Sequence, residues 1–437
     1  MKMRVKVIGG GLAGSELALQ LARRGIDVDL FEMRPVVMTP AHESPYLAEL
    51  VCSNSLKSDN PLTASGLLKR ELRFLGCRLL SIAEKSSVEA GHALAVDREL
   101  FASSVTEAIE VESHVSFHRE EVTKIPDGEV VVVATGPLTS PSLSSSIERH
   151  LSAENLYFYD AISISVTVDS IDPSVAFRAS RYGKGGEDYW NIPLNREEYE
   201  RLVDFLLAAP KTEKRGFEDN MCFEGCLPIE VIAARGRESL RFGPLKPKGL
   251  VDPRTGCEPY AVVQLRKETM DGSIYGLVGF QTRLKRPAQR ELLNYVLPGF
   301  EKPQIVRWGS IHRNTFINSP EVLDSMQMSL KRRGLFFTGQ IVGVEGYMES
   351  IAHGLLTALN IVHFMKGLEG PLFPAETILG GLQRHLIEKR KHFQPMNANF
   401  GLLPFVKSKR SERKRLFTER ALAALERFVS EKLETYL

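Results

Sequence analysis

The chain has 437 residues, enough for two or three domains, and 43% of them are hydrophobic, which is enough for a sizeable core. A formal net charge of +2 is too small to indicate a nucleic-acid or membrane partner by itself. Five cysteines with no signal peptide before them indicate reduced thiols and a cytoplasmic protein, and the absence of any run of about 18 apolar residues argues against a membrane span.

The first predicted unit is a strand, a glycine-rich turn and a helix in VIGGGLAGSELALQLA, residues 7–22. Glycines permit a sharp turn, a close approach to a pyrophosphate and tight packing of helix on strand. The next strand, IDVDLFE, ends at Glu32, where dinucleotide-binding folds place an acceptor for the ribose hydroxyls. The pattern predicts a Rossmann-type α/β domain for FAD or NAD. Its candidate cofactor-binding residues are Gly9, Gly10, Gly11, Leu12, Ala13, Gly14, Glu32 and Arg34.

A long irregular passage, residues 33–66, follows the second strand and has too many apolar anchors to be disordered. It carries Cys52 in the Ser/Asn-rich turn VCSNS, near the expected cofactor face. Two interpretations stay open from the spacing alone. Cys52 is either a small buried residue, as most cysteines outside disulfides are, or a functional thiol.

Two later segments return the chain to the dinucleotide site. EVVVVATGP, residues 129–137, is an apolar strand typical of a parallel sheet covered on both faces, and it ends in a turn with Thr135 and Gly136. LFFTGQIVGVEGYMES, residues 335–350, again predicts strand, glycine-rich turn and helix. A second helix N-terminus aimed at one ligand favours FAD over NAD. The candidate residues of this turn are Gly339, Gln340, Gly343, Gly346 and Tyr347.

The segment between these two parts has a different character. AISISVTVDS alternates with period two, and YAVVQLRKE and SIYGLVGFQT are predicted to form adjacent antiparallel strands. We therefore expect the first part of an FAD-binding domain at 1–155 and an inserted, mainly β (α+β) domain at 156–304. The second part of the FAD-binding domain, with a basic helical tail, is expected at 305–437.

The inserted segment also carries Cys222 and Cys226, without the second Cys/His pair that a zinc site needs, so no metal site is predicted. A thiol near Arg235 and Arg237 is either a nucleophile or a structural residue beside a solvated basic turn. KSKRSERKR, residues 407–415, is attractive to phosphate backbones, although a single run of this kind is more often a solvated face.

Several blocks together resemble one family. GGGLAGSE, ELVCSNSL, VVVATGPL, FEGCLPIE, RESLRFGPLKPKGL and GQIVGVEGYMES are similar to TrmFO, the folate- and FAD-dependent tRNA uracil-5-methyltransferases, over about residues 6–399. FEGCLPIE and RFGPLKPKGL are much more specific than a dinucleotide fingerprint. The related GidA (MnmG) flavoproteins share the FAD turn but are longer, with a large helical C-terminal domain.

The resemblance implies formation of 5-methyluridine at tRNA position 54, in the T loop. The carbon would come from 5,10-methylenetetrahydrofolate and the reducing equivalents from NADPH or NADH through FAD. Cys52 and Cys226 match the family's two functional cysteines. Because a thiolate that adds to C6 makes uracil C5 nucleophilic, the hypothesis is that Cys226 adds to C6. Cys52 would remove the C5 proton or protect the reduced flavin, and the two roles could be exchanged.

Alternatives from other classes remain. They are a GidA-like tRNA-modifying flavoprotein, a small-molecule NAD(P)H-dependent flavin oxidoreductase and a non-catalytic RNA-binding flavoprotein. An enzyme acting on a buried uridine must expose the base, and the candidate residues to receive it are Tyr182, Tyr189, Trp190 and Arg283. Trp308, His312 and Arg313 are expected to pack the domain junction rather than to line a folate or substrate pocket.

Overall fold

The computed structural model describes residues 4–153, 156–183, 186–212, 227–391, 393–409 and 411–433, with the backbone alone at 156–161 and 312–313. Cys222 and Cys226 lie outside the described residues, and so do the side chains of His312 and Arg313. Within the described ranges, no helix has the length and apolarity needed to cross a membrane.

Fifteen strands form three sheets in the described chain. The strands are β1 (Arg4–Ile8), β2 (Asp27–Glu32), β3 (Ser55–Ser58), β4 (Ser87–Val88), β5 (Ala93–Val96), β6 (Val115–Arg119), β7 (Val130–Val133), β8 (Leu156–Thr167), β9 (Phe177–Arg178), β10 (Tyr189–Leu194), β11 (Ala261–Lys267), β12 (Ile274–Gln281), β13 (Ile305–Arg307), β14 (Ser310–Phe316) and β15 (Leu335–Phe337).

Thirteen α-helices are described. They are α1 (Leu12–Ala22), α2 (Ala64–Phe74), α3 (Arg78–Lys85), α4 (Arg98–Glu110), α5 (Pro141–Leu151), α6 (Arg196–Ala208), α7 (Ile229–Ala234), α8 (Ser239–Phe242), α9 (Arg286–Glu291), α10 (Ser319–Val322), α11 (Tyr347–Met365), α12 (Ile378–Ile387) and α13 (Arg413–Phe428). A π-helical turn, Leu292–Val296, continues α9.

The first sheet is parallel and has five strands in the order β15-β7-β1-β2-β6. All four residues of β7 are buried, as a Val run covered on both faces requires. The predicted Rossmann-type domain is confirmed. Because the carboxyl ends of parallel strands meet at one edge, β1, β7 and β15 deliver all three predicted glycine-containing turns to the same place.

The second sheet has seven strands, with β13-β8-β12-β11-β10-β9 on one path and β14 also paired with β8. The predicted neighbours β11 and β12 are antiparallel, with Leu265 opposite Leu277. This sheet and α6 enclose a separate core. The proposed domain boundary after residue 304 falls within the sheet, because β13 and β14 continue it to Phe316.

The passage at 33–66 is ordered by a third, three-stranded sheet, β3-β5-β4, which the sequence did not predict. Helix α4 is capped by Asp97, whose carboxylate accepts from the backbone N–H groups of Glu99 and Leu100. At the other end of the chain, α13 buries Phe417, Ala421 and Leu425 in the hydrophobic core that packs against the parallel sheet. Its basic residues Lys414 and Arg415 are exposed.

Candidate functional site

A deep cleft opens at the carboxyl edge of the parallel sheet. It encloses about 980 Å³ of space, part of it open to solvent, which is within the range of cofactor clefts. Three predicted turns line it together, although they are far apart in sequence. The predicted cofactor-binding residues in the lining are Gly9, Gly11, Leu12, Ala13, Glu32, Arg34, Thr135, Gly136, Gln340 and Tyr347.

Other predicted glycines allow close packing or an unusual backbone conformation next to the cleft. A side chain at Gly14 would overlap the carbonyl of Gly9, so glycine there lets α1 pack closely on β1. A Cβ at Gly339 would stand 2.6 Å from the Cβ of Ala13, and one at Gly343 would stand 2.5 Å from the ring of Phe393. Gly346 precedes the first residue of α11 at φ +117°, a backbone conformation that favours glycine.

The N-terminus of α1 faces this cleft. Its N-cap residue is Gly11, so no side chain caps the helix, and a Cβ at this position would meet no atom within 4 Å. The space in front of the helix N-terminus is therefore open. Backbone N–H groups at a helix N-terminus and the positive end of the helix dipole attract an anion. This arrangement fits the pyrophosphate of a dinucleotide.

Glu32 lies at the end of β2 and is fixed by its neighbours. Its carboxylate accepts from the N–H of Gly10 at 2.9 Å and from Nε of Arg34 at 3.0 Å. Burial alone would raise the pKa of Glu32, but the Arg34 guanidinium and these hydrogen bonds outweigh it and hold the pKa below its ordinary value. Arg34, only 2% exposed, also pairs with Glu49 at 3.2 Å. Glu32 is therefore an ionised acceptor, suited to ribose hydroxyls.

The third turn holds Gln340 in a defined position. Its Nε2 donates to Oε2 of Glu345 at 2.7 Å, so the amide is oriented by the acid five residues later. Behind the turn, buried His353 accepts at Nδ1 from the N–H of Gly339, 3.2 Å away. Burial lowers the pKa of His353 to about 3, which keeps the imidazole neutral and able to accept. The turn thus rests on a neutral histidine.

Cys52 stands where the loop before β3 meets the start of α11. Its backbone N–H donates to the hydroxyl of Tyr347 at 2.7 Å, and the N–H of Ser53 donates to the same oxygen at 3.2 Å. Tyr347 and Val51 both line the cleft, so Cys52 directly follows one lining residue and its backbone bonds another. Burial raises the pKa of the Tyr347 hydroxyl, which stays neutral in the folded protein.

A group of charged residues around the Cys52 loop was not predicted. Nη1 of Arg98 donates to the carbonyl of Leu50 at 3.0 Å, and Nη1 of Arg307 donates to the carbonyl of Val51 at 3.1 Å. Nε of Arg266 donates to Oδ1 of Asn54 at 2.8 Å. Three guanidiniums therefore hold residues 50–54.

Glu268 balances part of this positive charge. It pairs with Arg98 at 2.9 Å and accepts from the hydroxyl of Ser165 at 3.0 Å. Burial would raise the pKa of Glu268, but the guanidiniums of Arg98, Arg266 and Arg307 hold it below its ordinary value. The sequence did contain a sign of this charged group: strand β11 is otherwise apolar but carries charged residues at its end and just after it. Buried positions of this kind rarely hold a charge without a partner.

The predicted base-receiving residues have different partners and exposures. Tyr189 donates its hydroxyl to the carbonyl of Ala90 at 3.0 Å, and Trp190 carries the guanidinium of Arg178 5.5 Å from its ring centroid. Arg283 is buried beside Glu230, whereas Tyr182 is 56% exposed. Within the described chain, no group of three or more His, Cys, Asp or Glu side chains could hold a metal ion.

Comparisons of the chain with known proteins identify its family. The family model described as Glucose inhibited division protein A (GIDA) matches residues 4–369. A Natranaerobius thermophilus protein named methylenetetrahydrofolate-tRNA-(uracil-5-)-methyltransferase TrmFO is 51% identical over 434 residues, covering 99% of this chain and 100% of that protein. A Geobacter sulfurreducens protein of the same name is 51% identical, covering 98% and 99%.

Among solved structures, Aquifex aeolicus GidA superposes with a TM-score of 0.71 at 18% identity, covering all of this chain and 77% of that one. A likeness at that identity shows the fold alone. The near full-length similarity to the curated relatives goes further, and the chain belongs to the TrmFO family, within the wider group that the GidA model matches.

Proposed function

We propose that this protein methylates the uridine at position 54 in the T loop of tRNA, giving 5-methyluridine. The carbon comes from 5,10-methylenetetrahydrofolate, and FAD is reduced by NADPH or NADH, in the cytoplasm. One observation carries the proposal. The loop of Cys52, which by resemblance matches one of the family's two functional cysteines, is fixed beside the dinucleotide cleft: Tyr347 accepts from the Cys52 N–H, and three guanidiniums bond residues 50, 51 and 54.

The cleft residues fit FAD. The amides at the start of α1 would bind the pyrophosphate, and Glu32 would accept from the ribose hydroxyls. The ionised Glu32 would repel a 2′-phosphate, so NADPH would not bind here in the place of FAD. When bound, FAD supplies redox chemistry that the side chains of the chain cannot supply.

Overall, a methyl group replaces the C5 hydrogen of uracil. 5,10-Methylenetetrahydrofolate supplies the carbon and leaves as tetrahydrofolate, while NAD(P)H is oxidised to NAD(P)⁺ and one proton is taken up. Uracil C5 is a poor nucleophile until a thiolate adds to C6, and we assign that addition to Cys226. C5 then forms the new bond to the one-carbon unit as the bond from that carbon to a folate nitrogen breaks. C5 loses its proton, the S–C6 bond breaks, and a hydride that originates in NAD(P)H completes the methyl group. We assign the acceptance of the C5 proton to Cys52, whose backbone N–H donates a hydrogen bond to the hydroxyl of Tyr347.

The tRNA partner is supported by charge on the exposed surface. Lys407, Lys409, Lys414 and Arg415 are exposed just before and within the first turn of α13. Binding of a polyanion by such residues must weaken as the salt concentration rises. A small-molecule flavin oxidoreductase would show no such dependence.

Cys52→Ser tests the proposal. The purified yellow protein is incubated with an unmodified tRNA transcript, 5,10-methylenetetrahydrofolate and NADPH, and 5-methyluridine is measured by nucleoside mass spectrometry. The wild-type protein forms 5-methyluridine in the T loop, and Cys52→Ser lowers the rate by on the order of 10²-fold or more with unchanged FAD content.

Cys257→Ser is the matched control, because Cys257 is an exposed thiol remote in sequence from the cleft residues, and it keeps the wild-type rate. Absence of 5-methyluridine with the wild-type protein would contradict the proposal. A modified uridine elsewhere in the tRNA would instead favour a GidA-like activity. A Cys52→Ser protein with the wild-type rate would remove Cys52 from the chemistry.

A further inference from the structure

Trp308 lies beneath two guanidinium groups on the surface of the inserted sheet. Cζ of Arg286 is 5.5 Å from the centroid of its ring, and Cζ of Arg290 is 5.7 Å from it. The two arginines stand four residues apart on α9 and are exposed, so they project from one face of the helix, one turn apart. We call Arg286, Arg290 and Trp308 the arginine platform.

Two hydrogen bonds between α9 and the residue after Trp308 hold the platform in place. The side-chain amide of the buried Gln289 donates to the carbonyl of Gly309 at 2.8 Å and accepts from its N–H at 2.8 Å. This two-point contact fixes the residue after Trp308 to the helix that carries the arginines. Stacking on the indole restricts the guanidiniums but leaves their N–H groups exposed to a ligand.

Carboxylates do not neutralise these arginines. Among the residues that the structure describes, neither Arg286 nor Arg290 makes an ion pair, and Lys285 beside them makes none either. By contrast Arg241, which also stacks on an aromatic ring, has such a partner in Glu238 at 3.2 Å. The platform therefore keeps a local excess of positive charge.

The platform also adjoins the cleft through the residue next to Trp308. Arg307, next to Trp308, bonds the carbonyl of Val51, which lines the cleft beside Cys52. Arg283, just before α9, accepts at its carbonyl from the N–H of Thr212 and donates its N–H to Glu230. These contacts join the segment before α9 to α7.

We propose that Arg286 and Arg290, ordered by Trp308, bind two phosphates of the RNA strand beside the target uridine. This inference rests on the proposed function. Guanidinium forks match phosphate oxygens in geometry, and a rigid, unneutralised pair one helical turn apart suits consecutive anionic groups of one strand. An acidic protein surface is the competing partner, and the salt dependence and the RNA specificity below separate the two.

The experiment compares the holoenzyme with the double variant Arg286→Ala/Arg290→Ala. The Kd for an unmodified tRNA transcript is measured by fluorescence anisotropy across a salt series. Loss of two single-strand phosphate contacts reduces the slope of log K against log salt by about 1.4 and weakens binding on the order of tenfold at physiological salt. FAD content and NADPH oxidation without tRNA stay at wild-type values.

Arg149→Ala removes an exposed arginine from another helix, α5, and is the control, with an unchanged slope. Trp308→Leu keeps both charges but removes the stacking, so it raises Kd with a smaller change of slope. If the double variant binds tRNA with the wild-type Kd and slope while the wild-type protein still methylates tRNA, the platform is not an RNA contact and the proposed function stands. If the wild-type protein binds no tRNA, both fail.

Discussion

At the scale of single residues, charge and burial explain why some functional positions could be read from the sequence and others could not. Glu32 was predictable because a fixed number of residues separates it from the glycine turn on adjacent strands. The guanidiniums around Cys52 come from α4, β11 and β13, and no local spacing relates them. Their grouping depends on how two sheets are placed against each other, which a single sequence does not contain.

His353 gives a prediction about pH. Unfolded histidine takes up a proton near pH 6.5, whereas burial lowers the pKa of folded His353 to about 3. Between these values the unfolded state binds more protons, so the free energy of unfolding falls as the pH falls from 6.5 towards 3. The contribution is fully present above pH 6.5.

His353→Gln removes this titration and keeps an acceptor for the N–H of Gly339. We expect its free energy of unfolding, from urea titrations at several pH values, to fall less steeply than that of the wild-type protein below pH 6.5. The difference in slope is up to about 1.4 kcal/mol for each pH unit. Parallel slopes for the two proteins would show that His353 does not stay neutral when folded.

At the scale of elements, the sequence pattern predicted the parallel strands and the antiparallel pair β11 and β12. It did not predict β3, because Ser55–Ser58 has no alternation of apolar and polar residues and becomes a strand only by pairing with β5. The contact between α1 and α11 was also not specified by either helix alone. Gly354 is the residue that permits it, since a Cβ there would overlap the backbone of Ala13.

Gly354→Ala is therefore expected to destabilise the protein, although alanine is normally the better helix former. The propensity gain of about 1 kcal/mol is smaller than the 1–3 kcal/mol that overpacking typically costs. Because Ala13 lines the cleft, the start of α1 also moves relative to the cofactor site. We expect a lower thermal midpoint and a lower ratio of flavin to protein absorbance. A variant with the wild-type midpoint and flavin content would contradict close α1–α11 packing.

At the scale of the whole molecule, the chain joins a dinucleotide cleft to a second sheet through charged contacts. Nη2 of Arg98 meets Glu268, and Nδ2 of Asn54 donates to the carbonyl of Lys267 at 2.9 Å. The sequence predicted an inserted domain, but its return point could not be read, because β13 and β14 are short and their pairing with β8 is non-local. Family resemblance, rather than periodicity, pointed to RNA as the partner.

The central claim is that the methyl carbon of 5-methyluridine comes from folate and is placed on uracil in this cleft. The most direct test supplies the purified protein, NADPH and an unmodified tRNA transcript with 5,10-methylenetetrahydrofolate whose methylene carbon is carbon-13, beside unlabelled S-adenosylmethionine. Mass spectrometry of the nucleosides should find the label in the methyl group of 5-methyluridine. An unlabelled methyl group, or label that appears only when S-adenosylmethionine carries it, would contradict the account.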